Sequence, residues 1–362
     1  MGLYDSSLKG LCEKTLANFE EYVGINNPRT MAQKNGILTA LRSDTNLAGA
    51  QQMTTEPDND GKFRAIRVKY MQRDSDSTNV TDPDNYDCDT GTEDQWKEAS
   101  VPTSDFSYEG TKEMKLSRNY LRQICDDDAV FGEFFQTVVL KSMNAVRTGI
   151  GKKVLTSIAT GCVGVNLGNE VSGVPSASAK SIQILKSDGA ADHYGLAQVG
   201  VDMSENEVDG VHSIVGQGNW QLFHHMAGMS CCNDSGIDGA MSNDWYSQNY
   251  RYHLDQNANS ILGTNNALVI APGAVQLLTF CENQGNGFVD YNGNYAHITL
   301  PDPVVPGLMY DWELKYSPCK KYFITHFGAW YYTWCWPSDV FSASDRLNGM
   351  TGVFLYTGTK GS

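Results

Sequence analysis

The longest regular pattern in the chain runs from Asp126 to Thr160. Val130, Phe131, Phe134, Phe135, Val138, Val139, Met143, Val146, Ile150, Val154, Leu155 and Ile158 recur at spacings of three and four. That spacing lays an apolar stripe down one face and predicts an amphipathic helix. Asp126, Asp127 and Asp128 stand at its start, where carboxylates complement the positive helix end. Lys152 and Lys153 stand near its other end, and Gly161 supplies a stop. At about 1.5 Å per residue the rod is roughly 50 Å long. Gly149 and Gly151 each weaken it by about 1 kcal/mol relative to Ala, so a bend or break is expected to be easiest there.

Ahead of this helix the pattern is more broken. Residues 5–24 read as a short amphipathic helix, with Leu8, Leu11, Cys12, Leu16, Phe19 and Val23 on one face and Asp5 or Ser6 as cap. A weaker helix lies around Thr30 to Leu41, and Asp44 to Gly61 is polar and extended. Ile66, Val68 and Tyr70 favour a strand over 63–70. Asp74 to Asp94 is dense in turn formers, and a second extended run passes through Phe106 and Tyr108 to Leu116. Strand, long loop, strand and then helix predict a protruding two-stranded flap, which buries little by itself.

Behind the helix, Gly164 to Gly189 is irregular, and residues 192–287 alternate strands and helices. Val211 to Val215 reads as a buried strand and Trp220 to Gly228 as a helix. Ala267 to Ile270 reads as a strand stopped at Ala271-Pro272-Gly273, and Val275 to Glu282 as a helix. Asn292-Gly293 between Phe288–Tyr291 and Tyr295–Leu300 is a hairpin signal. Tyr310, Trp312, Leu314 and Tyr316 alternate with polar residues in a half-buried strand. Aromatic strands follow at Tyr322 to Trp336 and Val353 to Tyr356. No internal repeat or coiled-coil period is present.

With 362 residues, 41% of them hydrophobic, the chain can bury a sizeable core. No apolar run approaches the roughly 20 residues of a membrane span. Met1 to Ser6 lacks the basic and apolar regions of a secretory signal. Met1-Gly2-x-x-x-Ser6 fits the myristoylation pattern, a short one met by chance. The net charge of −15 argues against sequence-independent binding to nucleic acid, which rests on Lys and Arg neutralising phosphates. It suits a protein that stays soluble and does not stick to DNA nearby. Nine scattered cysteines, with Cys231 and Cys232 adjacent, are expected to be mostly reduced.

Candidate chemistry is thin. Gly149-Ile150-Gly151-Lys152-Lys153 hints at a phosphate loop, but Val146 and Lys153 stand where it needs Gly and Ser or Thr. His224, His225, Cys231 and Cys232 crowd together as zinc ligands do, yet adjacent ligands aim apart. Asp82, Asp84, Asp87, Asp89, Glu93 and Asp94 form an acidic loop whose spacing is not that of an EF-hand. Val215-Gly216-Gln217-Gly218-Asn219-Trp220 holds only two glycines of a dinucleotide turn. Asp311 and Glu313 fall on the polar face of a strand. No nucleophile elbow and no His-Glu-x-x-His pair is present. We therefore expect no enzyme, and no catalytic, cofactor or metal residue is assigned.

Three stretches carry a family likeness. Ala267-Leu268-Val269-Ile270-Ala271-Pro272-Gly273-Ala274-Val275 resembles a strand-to-helix turn in the axial domain of tailed-bacteriophage major capsid proteins of the Hong Kong 97 type. Gly307-Leu308-Met309-Tyr310-Asp311-Trp312 and Asn348-Gly349-Met350-Thr351-Gly352-Val353-Phe354 resemble stretches in capsid proteins of phages infecting Bacteroidetes. The order of elements along nearly the whole chain is similar too. The resemblance implies an α+β fold with an N-terminal arm (1–50) and an extended loop across a neighbouring subunit (51–125). It further implies a peripheral domain with a spine helix (126–172 and 288–340) and an axial domain (173–287 and 341–362).

The function so implied is a structural subunit that self-assembles into pentamers and hexamers of an icosahedral virion shell enclosing DNA. It would be made in the host cytoplasm, with scaffolding, portal and decoration proteins as further partners and no membrane. No N-terminal coiled-coil scaffolding segment is present, so any scaffold is a separate protein, and no Lys/Asn cross-linking pair stands out. The rival readings are another phage structural or encapsulin-like shell protein, and a carbohydrate-active hydrolase built on the aromatic C-terminal half.

Overall fold

The computed structural model describes residues 35–43, 53–57, 63–71, 96–208, 210–229, 249–280, 288–289, 295–305, 307–317, 319, 321–337, 340 and 346–362, with Leu11 and Thr15. Leu11 and Thr15 are helical and buried, and the rest of the helix expected over 5–24 lies outside the described residues. The acidic loop and the Asn292-Gly293 turn lie outside them as well.

The helical stripe forms as its spacing predicts. A short helix, α2 (Arg118–Asp126), is capped by Ser117 and stops at Asp127, whose extended backbone lets its carboxylate cap the next helix at the Ala129 amide, 2.8 Å away. From there α3 (Asp128–Phe134), a π-helical segment (Phe135–Leu140) and α4 (Lys141–Gly161) continue as one rod. Its stripe is buried from Phe131 to Ile158, apart from a half-buried Val138. The rod does not break at Gly149 or Gly151. A Cβ at Gly149 would meet the Glu109 carboxylate, and one at Gly151 the Asn35 side chain, so both glycines admit neighbours close to the helix. Asn35 precedes α1 (Gly36–Ser43), and residues 30–34 of the helix expected around Thr30 to Leu41 lie outside the described residues.

The rod packs on a large antiparallel sheet ordered β12-β16-β15-β14-β13. Its strands are β12 (Val275–Phe280), β13 (Phe288–Val289), β14 (Tyr295–Pro301), β15 (Met309–Ser317) and β16 (Tyr322–Cys335). Trp312 and Phe327 stack on the helix-facing side, with Phe134 of the rod 6.2 Å from the Trp312 ring. The helix expected over Val275 to Glu282 is instead strand β12, paired with β16 from Val275↔Cys335 to Phe280↔Trp330. A short run with four apolar residues in six is ambiguous by periodicity, and the edge of an aromatic strand decided it.

The flap also differs from expectation. β2 (Phe63–Met71) pairs with β3 (Trp96–Pro102), and β1 (Met53–Pro57) adds a third strand. The run from Phe106 to Leu116 belongs elsewhere: β4 (Ser107–Gly110) and β5 (Met114–Ser117) both pair with β16. Nor does the flap stand clear of its own subunit. Ile66, Val68 and Val101 are buried, and the Tyr70 ring lies 6.3 Å from that of Trp334.

A second sheet has five strands in the order β10-β9-β11-β17-β8. These are β8 (Lys180–Leu185), β9 (His212–Gly216), β10 (Tyr250–Leu254), β11 (Asn266–Ile270) and β17 (Val353–Lys360). β11 runs antiparallel to both neighbours, and the outer pairs are parallel. Helices α5 (His193–Glu205) and α6 (Asn219–Met229) pack on it. α5 lies so close that a Cβ at Gly195 would fall 1.6 Å from the Gln183 carbonyl oxygen. A two-stranded hairpin, β6 (Asn166–Val171) and β7 (Val174–Ser176), turns through Ser172 and Gly173, both with positive φ. A single helical turn, α7 (Ala258–Ile261), precedes β11.

The chain crosses between the two sheets three times in one place. Gly164 donates to the Val353 carbonyl (3.0 Å), Ala271 to Gly352 (2.8 Å) and Trp336 to Ala274 (3.0 Å). Cys162, at the end of α4, is joined by a disulfide to Cys335, at the end of β16. This overturns the expectation of reduced thiols for that pair. Cys319 is a free, exposed thiol.

Candidate functional site

The residues singled out for chemistry do not converge. The glycine-lysine run at 149–153 lies inside α4, where Lys153 pairs with Glu109. His224 and His225 both lie on α6, and His224 stacks on Tyr252 at 4.7 Å, while Cys231 and Cys232 fall outside the described residues. Among the described residues no group of three His, Cys, Asp or Glu could hold a metal ion. The turn at Gly216 and Gly218 serves packing: Asn219 donates its amide to Asn265 Oδ1 at 3.1 Å, and Trp220 Nε1 donates to the Asn265 carbonyl at 3.0 Å. Asp311 is buried rather than solvated, 3.2 Å from His297 Nε2, and Glu313 accepts from the Tyr295 hydroxyl at 3.1 Å.

Two polar networks went unnoticed in the sequence. In the first, Arg147 enters the core from the apolar stripe of α4. Its Nε donates to Asp302 Oδ2 at 2.8 Å, with side-chain exposures of 1% and 0%. Asp302 also accepts from the Tyr310 hydroxyl and from the Val304 and Val305 amides, each at 2.7 Å. Burial, then the Asp302 charge, holds the Tyr310 hydroxyl well above its usual pKa. In the second, Lys180 Nζ reaches both oxygens of Asp202 at 2.7 and 2.8 Å, and the Tyr356 hydroxyl donates to Asp202 at 2.9 Å. Asn166 and Asn206 extend the chain of bonds to the hairpin base. The charged groups in both are paired, Arg147 with Asp302 and Lys180 with Asp202.

One open cleft, of about 580 Å³, lies on the side of the large sheet away from the rod. Lys112, Glu113, Glu313 and Lys315 line it with balanced charge, and His326 Nδ1 lies 3.1 Å from the Tyr108 hydroxyl at its edge. A smaller hollow, of about 350 Å³, lies beside α5, lined by Ala197, Gly200, Val201, Val208 and Tyr250.

The exposed large apolar side chains are distributed unevenly. Among the described residues they are Tyr108, Val171, Val174, Tyr194, Val201 and Leu222; Val171 and Val174 lie on the β6–β7 hairpin, and Tyr194, Val201 and Leu222 on the helices that pack on the five-stranded sheet. Val171 and Val174 flank the hairpin turn, 54% and 63% exposed. Tyr194 and Val201 lie two turns apart on α5, with Val201 at the rim of the hollow. The signal for the hairpin was present as Val-Ser-Gly-Val, two valines around a turn. On β10, burial lowers the His253 pKa to about 4, aided by Arg251 and His224.

No protein-family model matches this chain. No curated protein matches it either. Solved structures similar to it include the capsid of Ralstonia phage GP4, at TM-score 0.37 and 10% identity, over 85% of this chain and 83% of that one. The capsid structure of Staphylococcus phage Andhra gives TM-score 0.37 and 8% identity, over 88% and 85%. The procapsid of satellite phage P4, with its size determination protein, gives 0.34 and 9%, over 96% and 98%. These are loose superpositions of a mixed helix-and-sheet chain.

Proposed function

We infer that this protein is a non-enzymatic shell subunit, copies of which pack into pentamers and hexamers of an icosahedral capsid around double-stranded DNA. The observation that carries this is that exposed apolar side chains gather at the β6–β7 hairpin tip and beside the hollow along α5. A tip and a hollow that differ in shape make a head-to-tail contact, and such contacts close into rings when the rotation permits. Paired polar networks and a balanced-charge cleft give no competing chemistry. In this reading residues 173–287 and 341–362 form the axial domain, save β12, which joins the large sheet. Residues 126–172 and 288–340 form the peripheral domain with the rod as its spine, residues 51–125 the extended loop and residues 1–50 the arm. The net charge of −15 lets the inner wall face packaged DNA without holding it. Scaffolding, portal and decoration proteins are the expected further partners.

Light scattering coupled to size-exclusion chromatography, with negative-stain microscopy, tests the reading. The wild-type chain is expected to give rings or closed shells, and Val171→Glu/Val174→Glu to remain a folded monomer. A wild-type chain that stays monomeric at all concentrations and salts, with any scaffolding partner supplied, overturns it.

A further inference from the structure

We propose that the Cys162–Cys335 pair is a redox-responsive lock on the junction between the two sheets, open as a dithiol in reducing surroundings and closed as a disulfide in oxidising ones. The pair sits where it has leverage. Cys162 caps the rod, and Cys335 ends the strand that pairs with β4, β5, β12 and β15. Immediately beyond each, the chain leaves for the five-stranded unit. Beside the disulfide, backbone bonds line the junction, Gly164 to Val353, Val165 to Gly349, Ala271 to Gly352 and Trp336 to Ala274, while α1 packs on both sheets and the buried core runs through them. The Thr351 hydroxyl also donates to the Cys162 carbonyl. Bonds of this kind open locally at modest cost, whereas a covalent link does not. The junction strands therefore open locally more readily when the pair is reduced than when it is oxidised.

Both states are accessible to the pair. The Cα atoms stand 5.8 Å apart, inside the range a disulfide spans without backbone movement, so closing it asks little of the fold. Cys162 is buried and Cys335 is partly exposed, which sets the order of reaction. The Cys335 thiolate attacks a small disulfide of the oxidised-glutathione class, forming a mixed disulfide and releasing one thiolate. The Cys162 thiolate then attacks the Cys335 sulfur and releases the second. Two protein thiols lose two electrons and two protons, and the small disulfide gains them as two thiols. Glutathione keeps such pairs reduced in a cytosol, so the lock closes when the protein leaves one. The lock is a property of the subunit and does not depend on its building a shell.

The test uses the full chain as unassembled subunits, equilibrated with reduced or oxidised glutathione. Peptide mapping of the oxidised sample is expected to show the 162–335 cross-link. The loop closed spans 173 residues, so oxidation should raise the melting temperature by about 5 °C from loss of unfolded-state freedom. Hydrogen exchange at the Gly164, Val165 and Trp336 amides should slow about tenfold on oxidation. Cys335→Ser should abolish both responses and still fold, since its side chain is only partly buried. Absence of the cross-linked peptide from oxidised wild type overturns the proposal, and that result needs no variant. So does an equal redox response in Cys335→Ser, which would place the effect on another cysteine such as Cys319.

Discussion

Replacing Asp302 by Asn changes the size of the side chain little and removes its charge. In the wild type one carboxylate accepts from Arg147, Tyr310 and two backbone amides, and both ionic side chains are shut off from solvent. In the variant the amide oxygen can still serve Val304 and Val305, but the new NH2 group points donors at the Arg147 guanidinium. A buried cation is then left without a counter-charge, which costs about 3–5 kcal/mol. Arg147→Met should cost less, about 1–3 kcal/mol, because three donors still satisfy the carboxylate. Arg147→Met/Asp302→Asn removes both charges, so its loss should fall short of the sum by about 2–4 kcal/mol. At about 2.1 cal/mol/K per residue, the Asn single variant melts about 4–7 °C below wild type. Urea unfolding of unassembled subunits, followed by circular dichroism, reads all four corners of the cycle. A loss below about 1 kcal/mol for Asp302→Asn, or single losses that add within about 0.5 kcal/mol, would refute the reasoning.

Gly195→Ala should destabilise the chain by more than about 1–3 kcal/mol, against the gain of about 1 kcal/mol that helix propensity alone promises, because the new methyl would strike the Gln183 carbonyl. Gly161→Ala, where a Cβ meets nothing within 4 Å, should be neutral or mildly stabilising, and thermal melts of the two variants side by side check the sign. The His253 pKa of about 4 lies below its unfolded value, so the unfolded chain takes up the proton first as pH falls. Its contribution is complete above pH 6.5 and is lost as pH falls towards about 4, by at most about 3 kcal/mol. His253→Gln should therefore flatten the stability profile across that window without abolishing the slope, since burial also lowers the pKa of His193 and His224.

The parts of the fold that were legible are those whose cause is local. The rod was visible because its stripe, its Asp127 cap and its terminal glycine all lie within one segment. β15 was visible because Tyr310, Trp312, Leu314 and Tyr316 alternate. β12 was misread because its strand character comes from pairing with β16, whose partner residues lie 50 to 60 positions further on. β3 was missed because Trp96–Pro102 has little alternation of its own and is ordered by β2. The polar networks were invisible for the same reason: Arg147 meets Asp302 across a separation of 155 residues, and Lys180 meets Asp202 only once α5 lies on β8. A lone arginine inside an apolar stripe was the one available hint. The Cys162–Cys335 link left no hint, since neither residue belongs to a paired spacing.

The order of strands in the five-stranded sheet sets the timing of its folding. β17, the last strand in the sequence, lies inside the sheet between β11 and β8, and β8 has no other strand beside it. Until residues 353–360 leave the ribosome, β8 has an open edge and β11 has a partner on one side only. From the end of β8 at residue 185 to the start of β17 at residue 353 is 168 residues, about 10–30 s of synthesis. β8 waits through that whole interval and β11 from residue 270 onward, each with an unsatisfied strand edge able to pair with a wrong chain. The large sheet has its strands by Cys335 and can form first, so the nascent protein is half-built in a definite sense, and a chaperone that shields β8 and β11 would act during that wait.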